Sequence, residues 1–396
     1  MRYAPIIDRL AGLGGAKWEL HAAAVEMRRS GRDVIDMTIG NPDVPAPQTL
    51  VDRATEAMRS GRTEYSTGRG EETLRAALAD RYTQRTGRPV GMDQVLCFPG
   101  TQTALYTVMM GVAGPGTEVL VGDPMYATYE AVIRASGAEP VPVPLRPAND
   151  FRIAAEDIAA RITERSRAIL LNTPHNPTGA VLTAADIDAI GAVAREHDLW
   201  IVSDEVYEEL VFDGIAFVSP FDRAAFADRT VCVASISKSH AAPGFRSGWS
   251  VSSAECAERL LPLSETILFG NQPFIADMTA AAVAEPSSVA AGMRSRFAAR
   301  VKYLDDRLTQ ETVLRVHRPE AGMFALIDVS ATGQGDRDYA LGLLHSGGVA
   351  VMPGSAFGDT LKGWVRLALT VDDARFRDAC DRIVAHALAL REGERA

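Results

Sequence analysis

From residue 94 to 237 the chain repeats one pattern. Short runs, QVLCF (94–98), EVLVG (118–122), AILLN (168–172), LWIVSDE (199–205) and TVCVASIS (230–237), are largely apolar and bounded by turn residues. Between the third and fourth runs, AADIDAIGAVAREHD sets Ile187, Ile190, Val193 and Ala194 at helical spacing. Strands apolar on both faces, alternating with helices, predict an α/β unit with a parallel sheet covered on two sides. The C-terminal third reads differently. A long amphipathic stretch, MRSRFAARVKYLDDRL (293–308), precedes two strand-like segments, GMFALIDVS (322–330) and GWVRLALT (363–370). These predict a smaller α+β domain, joined by residues near the N-terminus. At 396 residues the chain exceeds what one core usually supports. The division expected is 1–45 as an N-terminal arm and part of the small domain, 46–285 as a large domain, and 286–396 as the rest of the small one.

Composition narrows the function classes. An apolar fraction of 47% and a charged fraction of 23% are those of a soluble globular protein. No stretch nears the ~18 uninterrupted apolar residues of a membrane helix. The N-terminus, with charges inside its apolar part, reads as mature protein rather than a signal peptide. A net charge of −10 argues against a nucleic-acid partner. Cys97, Cys232, Cys256 and Cys380 are scattered with no CxxC pair, which fits reduced thiols in a cytoplasm and no metal site. One count is sharper. Of 41 basic residues only Lys17, Lys238, Lys302 and Lys362 are lysines, so chemistry that needs an amine has few candidates.

In open parallel sheets ligands sit beyond the carboxyl ends of the strands. The residues there are Gly100-Thr101-Gln102, Asp123-Pro124-Met125-Tyr126, Thr173-Pro174-His175-Asn176, Asp204 with Tyr207, and Lys238. Each has an ordinary alternative: a solvated strand end for Lys238, a helix cap for Asp204, core packing for Tyr126. Together they form a set with a common use. A lysine in an apolar pocket has a lowered pKa and condenses with carbonyls. Asp204 could hold a ring nitrogen protonated, Tyr126 could stack on that ring, and Asn176 and Tyr207 could bind a phenolic oxygen. The helix opening at Gly100 offers amides to a phosphate, helped by Ser235, Ser237 and Arg246. Pyridoxal 5′-phosphate (PLP), a phosphorylated aromatic aldehyde, uses all of these groups. Arg366 is harder to read as structure, because VRLAL sets a charge inside an apolar run, where it needs an anion.

The segments NTPHNPTGA, SDEVYEELVFD and SISKSHAAPGFRSGW resemble signature segments of the class I/II aminotransferases, which are fold type I PLP enzymes. MTIGNPD, YSTGRGEETLRAAL, PGSAFG and WVRLAL resemble four more, in the family's order, so the resemblance covers essentially the whole chain. It implies a large domain with a mostly parallel seven-stranded sheet and a smaller α+β domain. It also implies that Lys238 carries PLP and moves the proton at Cα, and that Asp204 pairs with the ring nitrogen. By the same resemblance Tyr207 and Asn176 bind the ring oxygen, and Tyr126 stacks on the ring and flanks the substrate. Ser235, Ser237, Arg246 and the amides of Thr101 and Gln102 hold the phosphate. Tyr65 reaches the phosphate of a second subunit, making the unit a homodimer. Arg366, with Gly40 and Asn176, grips the substrate α-carboxylate. Asp123–Pro124 and Asn176–Pro177 are expected to be cis.

The implied partners are an L-amino acid and a 2-oxo acid, with L-arginine and pyruvate the favoured pair. Transamination of aspartate with 2-oxoglutarate, or a C–S lyase reaction on the same scaffold, is the alternative. For an arginine donor, KWELH (17–21) offers an apolar plate, Trp18, and a carboxylate, Glu19, to meet the guanidinium; the equal alternative is that Trp18 docks the arm and Glu19 is a solvated helix charge.

Overall fold

The computed structural model describes residues 1–13, 15 and 18–393, so Lys17 lies outside the described residues. Its centre is a seven-stranded sheet, which runs in the order Val95–Phe98, Gly248–Val251, Thr230–Ser235, Trp200–Asp204, Ser166–Asn172, Glu118–Asp123, Glu139–Pro144. Only Gly248–Val251 is antiparallel to its neighbours. The five predicted runs are all strands here. Two strands had no clear signature in the sequence. Gly248–Val251 is only four residues long and continues a functional segment. Glu139–Pro144 reads EPVPVP, and proline is confined to sheet edges because it cannot donate to the ladder. The structure obeys that rule by parity. The amides of Glu139 and Leu145 donate inward to Thr117 and Asp123, so Pro140, Pro142 and Pro144 turn their missing N–H away from the sheet.

Helices cover both faces. Thr101–Val112, Tyr129–Ser136 and Ala254–Ile267 pack on one side, around Leu96, Val108, Val121 and Val202. The other side carries two cores, one with Leu74, Leu78 and Trp249, and one with Ile169, Ile187 and Ile190.

A second unit is built on the antiparallel sheet Met352–Pro353, Trp364–Ala368, Phe324–Asp328, Arg315–His317. The helix Ser288–Glu311 covers it. Its N-cap Ser287 accepts from the Ala290 amide, and Met293, Phe297, Val301, Leu304 and Leu308 form its buried stripe. Leu20, Ala24, Val34, Ile35 and Met37 share that core, and Ile35–Asp36 pairs with Val349–Ala350. N-terminal residues are therefore structurally part of the C-terminal unit. That brings the segment after Met37 over the carboxyl edge of the large sheet.

Candidate active site

Thirteen of the fifteen candidate residues line one cavity of about 230 Å³, where the large sheet's carboxyl edge meets the small sheet. The exceptions are Glu19 and Tyr65; Tyr65 is 93% exposed and rests edge-on against Phe269, ring centroids 6.3 Å apart.

Lys238 follows the strand Thr230–Ser235 on a single helical turn, Ile236–Ser239. Its Nζ donates to the Gly40 carbonyl at 2.9 Å. Burial, then the nearby charges of Arg366 and Arg246, push its amine down to about 8. The other described lysines are exposed and paired with Asp306 and Asp359. Asp204 ends the adjacent strand and is buried. Burial pushes its carboxyl up to about 6, against the pull of the Tyr129 hydroxyl at 2.7 Å and the Val206 amide at 3.2 Å.

Tyr126 packs edge-on to Tyr129, centroids 5.5 Å apart, so one short segment supplies both an aromatic plate and a donor to Asp204. Asn172, at the end of Ser166–Asn172, accepts from the Asn176 amide at 2.8 Å and donates to the Asp204 carbonyl at 3.1 Å. It ties the two neighbouring strand ends together. Tyr207 is buried and its phenol is held above its ordinary value, chiefly by burial. The peptide bonds Asp123–Pro124 and Asn176–Pro177 are cis as expected, and Thr173–Pro174 is cis as well.

A second group of residues surrounds the N-terminus of Thr101–Val112, capped by Gly100 at φ +91°. A side chain there would collide with the Arg246 guanidinium, and one on Gly248 would meet the Gly100 and Thr101 backbone within 3 Å. Only glycines allow this approach, and it draws Arg246 to the open helix end. Arg246 itself sits at φ +52°, a conformation uncommon outside glycine. The Thr101 hydroxyl is buried without a partner. Ser235 caps Ile236–Ser239 by accepting from the Ser237 amide at 3.3 Å. Free amides, two serines, an unpartnered hydroxyl and an arginine make a cradle for a dianion.

The small sheet contributes Arg366, from the middle of Trp364–Ala368 and 3% exposed. Its guanidinium lies 4.0 Å from the centroid of the Phe324 ring and 4.4 Å from that of Phe357. It donates to the Thr38 carbonyl and, at 3.2 Å, to Asn176 Oδ1. Its Nε has no partner, and no ion pair with a carboxylate forms among the described residues. Burial lowers its pKa to about 10. Gly40 is required where it stands, since a Cβ would enter the Phe324 ring.

Trp18 lines the cavity and meets His21 edge-on, centroids 6.3 Å apart. Glu19 does not follow it there. Its carboxylate pairs with Arg337 at 2.7 Å, both side chains being more than half exposed. The expected guanidinium partner is corrected to a surface ion pair. His175, inside one motif, is half-buried with its Nδ1 2.8 Å from Thr178 Oγ1, and loss of solvent lowers its pKa to about 4.

Tyr129, Asn172, Thr38, Phe324 and Phe357 were not among the candidates. Tyr129 had a signal, its i, i+3 spacing from Tyr126. Thr38 had none, because it acts through a backbone carbonyl.

A dianion cradle, a buried acid beside an aromatic plate and a lysine of lowered basicity fit PLP, whose phosphate, ring nitrogen and aldehyde need those groups. Fold and site together define a fold type I PLP-dependent enzyme. The sequence profile of aminotransferase class I and II matches residues 32–383, and the chain belongs to that family. It is a PLP-dependent aminotransferase. It is 41% identical over 390 residues to the arginine–pyruvate transaminase of Pseudomonas aeruginosa, covering 98% of this chain and 99% of that protein. It is 30% identical over 383 residues to the aspartate aminotransferase of Musicola paradisiaca, covering 96% and 94%. Among solved structures, a double mutant of the Thermus thermophilus aspartate aminotransferase superimposes with a TM-score of 0.91 at 30% identity, covering 98% of this chain and 100% of that one. No described helix is long and apolar enough to cross a membrane.

Proposed function

We propose that this aminotransferase takes the amino group of L-arginine and passes it to pyruvate in a ping-pong cycle, as a cytoplasmic homodimer. The observation that carries the amino-acid reading is Arg366, a buried guanidinium with no carboxylate partner among the described residues. An uncompensated charge is costly there, and a substrate α-carboxylate would remove the cost. Identity of 41% to an arginine–pyruvate transaminase supports the particular pair.

PLP, when bound, supplies a carbonyl that accepts the donor's amino group and a protonated ring that draws electrons from Cα. The rest is the work of this chain. The Lys238 amine, lowered to about 8, holds the cofactor and then carries the proton at Cα. Asp204 keeps a proton on the ring nitrogen. A carboxylate raised to about 6 still ionises near neutrality and gains a cationic partner there. Tyr207 and Asn176 hold the ring oxygen, and Tyr126 covers the ring face. Thr101, Gln102, Ser235, Ser237 and Arg246 bind the phosphate. Arg366, Asn176 and Gly40 orient the α-carboxylate so that the Cα–H faces Lys238, while Trp18 covers the donor side chain.

Tyr65 supports the homodimer. It is exposed with Phe269 in a surface groove of about 690 Å³ that also includes Pro99, next to the phosphate cradle. A second copy would bury both rings and bring each Tyr65 to the other's phosphate.

A screen of the holoenzyme against single L-amino acids, followed by the cofactor absorbance, tests the substrate reading. L-Arginine is expected to convert the cofactor fastest. Faster conversion by aspartate would replace arginine with the alternative dicarboxylate donor. Release of ammonia and pyruvate from a cysteine conjugate, without transamination, would favour the lyase. Sedimentation velocity tests the dimer, and a Tyr65→Phe subunit should bind PLP more weakly.

A further inference from the structure

The segment Asp36–Gly40 is gripped from two sides. Toward the cavity, the Thr38 carbonyl accepts from Arg366 and the Gly40 carbonyl from Lys238. On its other side lies the helix Glu19–Arg29, which carries His21. His21 Nδ1 is 2.7 Å from Thr38 Oγ1 and 3.5 Å from Asp36 Oδ2. The Thr38 hydroxyl and amide both donate to Asp36 Oδ1, at 2.5 and 3.1 Å.

A hydroxyl has one proton, and here Asp36 takes it. The 2.7 Å contact is therefore a hydrogen bond only if His21 Nδ1 carries the proton and donates it to Thr38. Asp36 also faces Arg28 at 3.3 Å, which anchors the acceptor side of the cluster to the same helix. The His21 ring meets Trp18, which lines the cavity. One imidazole thus touches both the residue whose carbonyl holds Arg366 and the aromatic at the cavity.

We propose that His21 is a positioning residue for the amino-acid substrate. Through Nδ1–H on Thr38 it fixes the carbonyl that orients Arg366, and through its ring it fixes Trp18. Its effect falls on substrate binding, outside the cofactor and the proton transfer. The inference rests on the reading of Arg366 as the α-carboxylate anchor.

In the holoenzyme, His21→Leu should raise KM about 3- to 10-fold for any amino acid the enzyme accepts, the range of one lost net hydrogen bond. The turnover number and the PLP dissociation constant, measured by spectral titration, should stay within about twofold. His21→Asn sets an amide nitrogen where Nδ1 stands and should recover most of the KM. His21→Gln, whose amide reaches toward the Nε2 position, should not. Thr38→Val should copy the KM rise, and adding His21→Leu to it should cost nothing further. If His21→Leu does not fold, the Asn–Gln contrast and Thr38→Val carry the test. An unchanged KM, equal effects of Asn and Gln, or additive losses in the double variant would overturn the proposal. Arg366→Gln separates the two possible failures. If it leaves KM alone, the carboxylate reading fails and takes this inference with it. If it raises KM while the His21 and Thr38 variants do not, this inference alone fails.

Discussion

Asp204 and Arg366 are buried ions of opposite sign facing one cavity, and they are held in different ways. Asp204 ends a central strand and receives a backbone amide from Val206, two residues on, and the phenol of Tyr129, 75 residues away in sequence. Arg366 sits mid-strand in the small sheet, between two aromatic rings, and donates to atoms 328 and 190 residues away in sequence. Burial moves each toward its neutral form, Asp204 up to about 6 and Arg366 down to about 10. Neither has a counter-charge from the described chain. On the proposed reading the difference lies in who supplies one: for Asp204 a resident cofactor, for Arg366 a substrate that comes and goes. In keeping with it, Asp204 has fixed hydrogen-bond donors, while the Arg366 Nε has no partner among the described residues.

The largest effect should come from removing Lys238, which lines the same cavity as these two ions. Lys238→Ala is expected to lower turnover by at least about 10⁴-fold, the upper range for a general acid–base. Borohydride reduction of the parent holoenzyme should label Lys238 alone. Label on Lys17, Lys302 or Lys362 would break the scheme.

Asp204→Asn keeps size and removes charge. It should cost roughly 10²- to 10³-fold in turnover, as loss of a preorganised electrostatic partner does. Stability of the apo-protein should move the other way. Burial pushes the folded carboxyl up to about 6 from an ordinary 3.8, so between those values the folded chain binds a proton that the unfolded chain has released. The contribution of this group to apo stability is best below pH 4, declines toward pH 6 and is flat above it. Apo Asp204→Asn should therefore exceed the apo parent at pH 7 by up to about 3 kcal/mol, with the gap closing near pH 4. Denaturant titrations at the two pH values check this. Equal stability at both would mean that Asp204 is solvated in solution.

On the other side of the comparison, Arg366→Gln should raise KM for amino donors by roughly 10- to 150-fold, the worth of a hydrogen bond to a charged group. PLP affinity should be nearly unchanged. Comparable loss of PLP would merge the two sides into one cofactor site.

The smallest effect belongs to Glu19→Gln. An exposed pair with Arg337 is worth about 0–1 kcal/mol, so kcat/KM for arginine and alanine alike should stay within about twofold. A selective loss for arginine would restore Glu19 to the donor site.

Much of the cofactor side was legible because it is local. A strand end fixes where the next few side chains point, so Lys238, Asp204, Asn176 and Tyr126 could be placed together from their own segments. Arg366 was legible for another reason, as a charge inside an apolar run. Glu19 was offered to the guanidinium by adjacency to Trp18, beside an equal reading as a solvated helix charge, and the structure bears out the second. Successive helical residues point about 100° apart, so with Trp18 on the cavity its neighbour turns outward to Arg337. The strand EPVPVP was masked by its prolines, which only an edge position tolerates.

The sequence by itself determined which residues could do carbonyl chemistry, and that they lie where strands end. Both follow from short-range rules, hydrophobic periodicity and turn residues. The tertiary structure alone decided what surrounds Arg366. The Thr38 carbonyl, the Asn176 amide oxygen and the rings of Phe324 and Phe357 come from separate stretches of chain, and the Thr38 carbonyl is among them because N-terminal residues share the core of the C-terminal unit. Backbone carbonyls and ring faces carry no signature in the order of residues. Their electrostatic effect depends on distance and burial, and folding sets both.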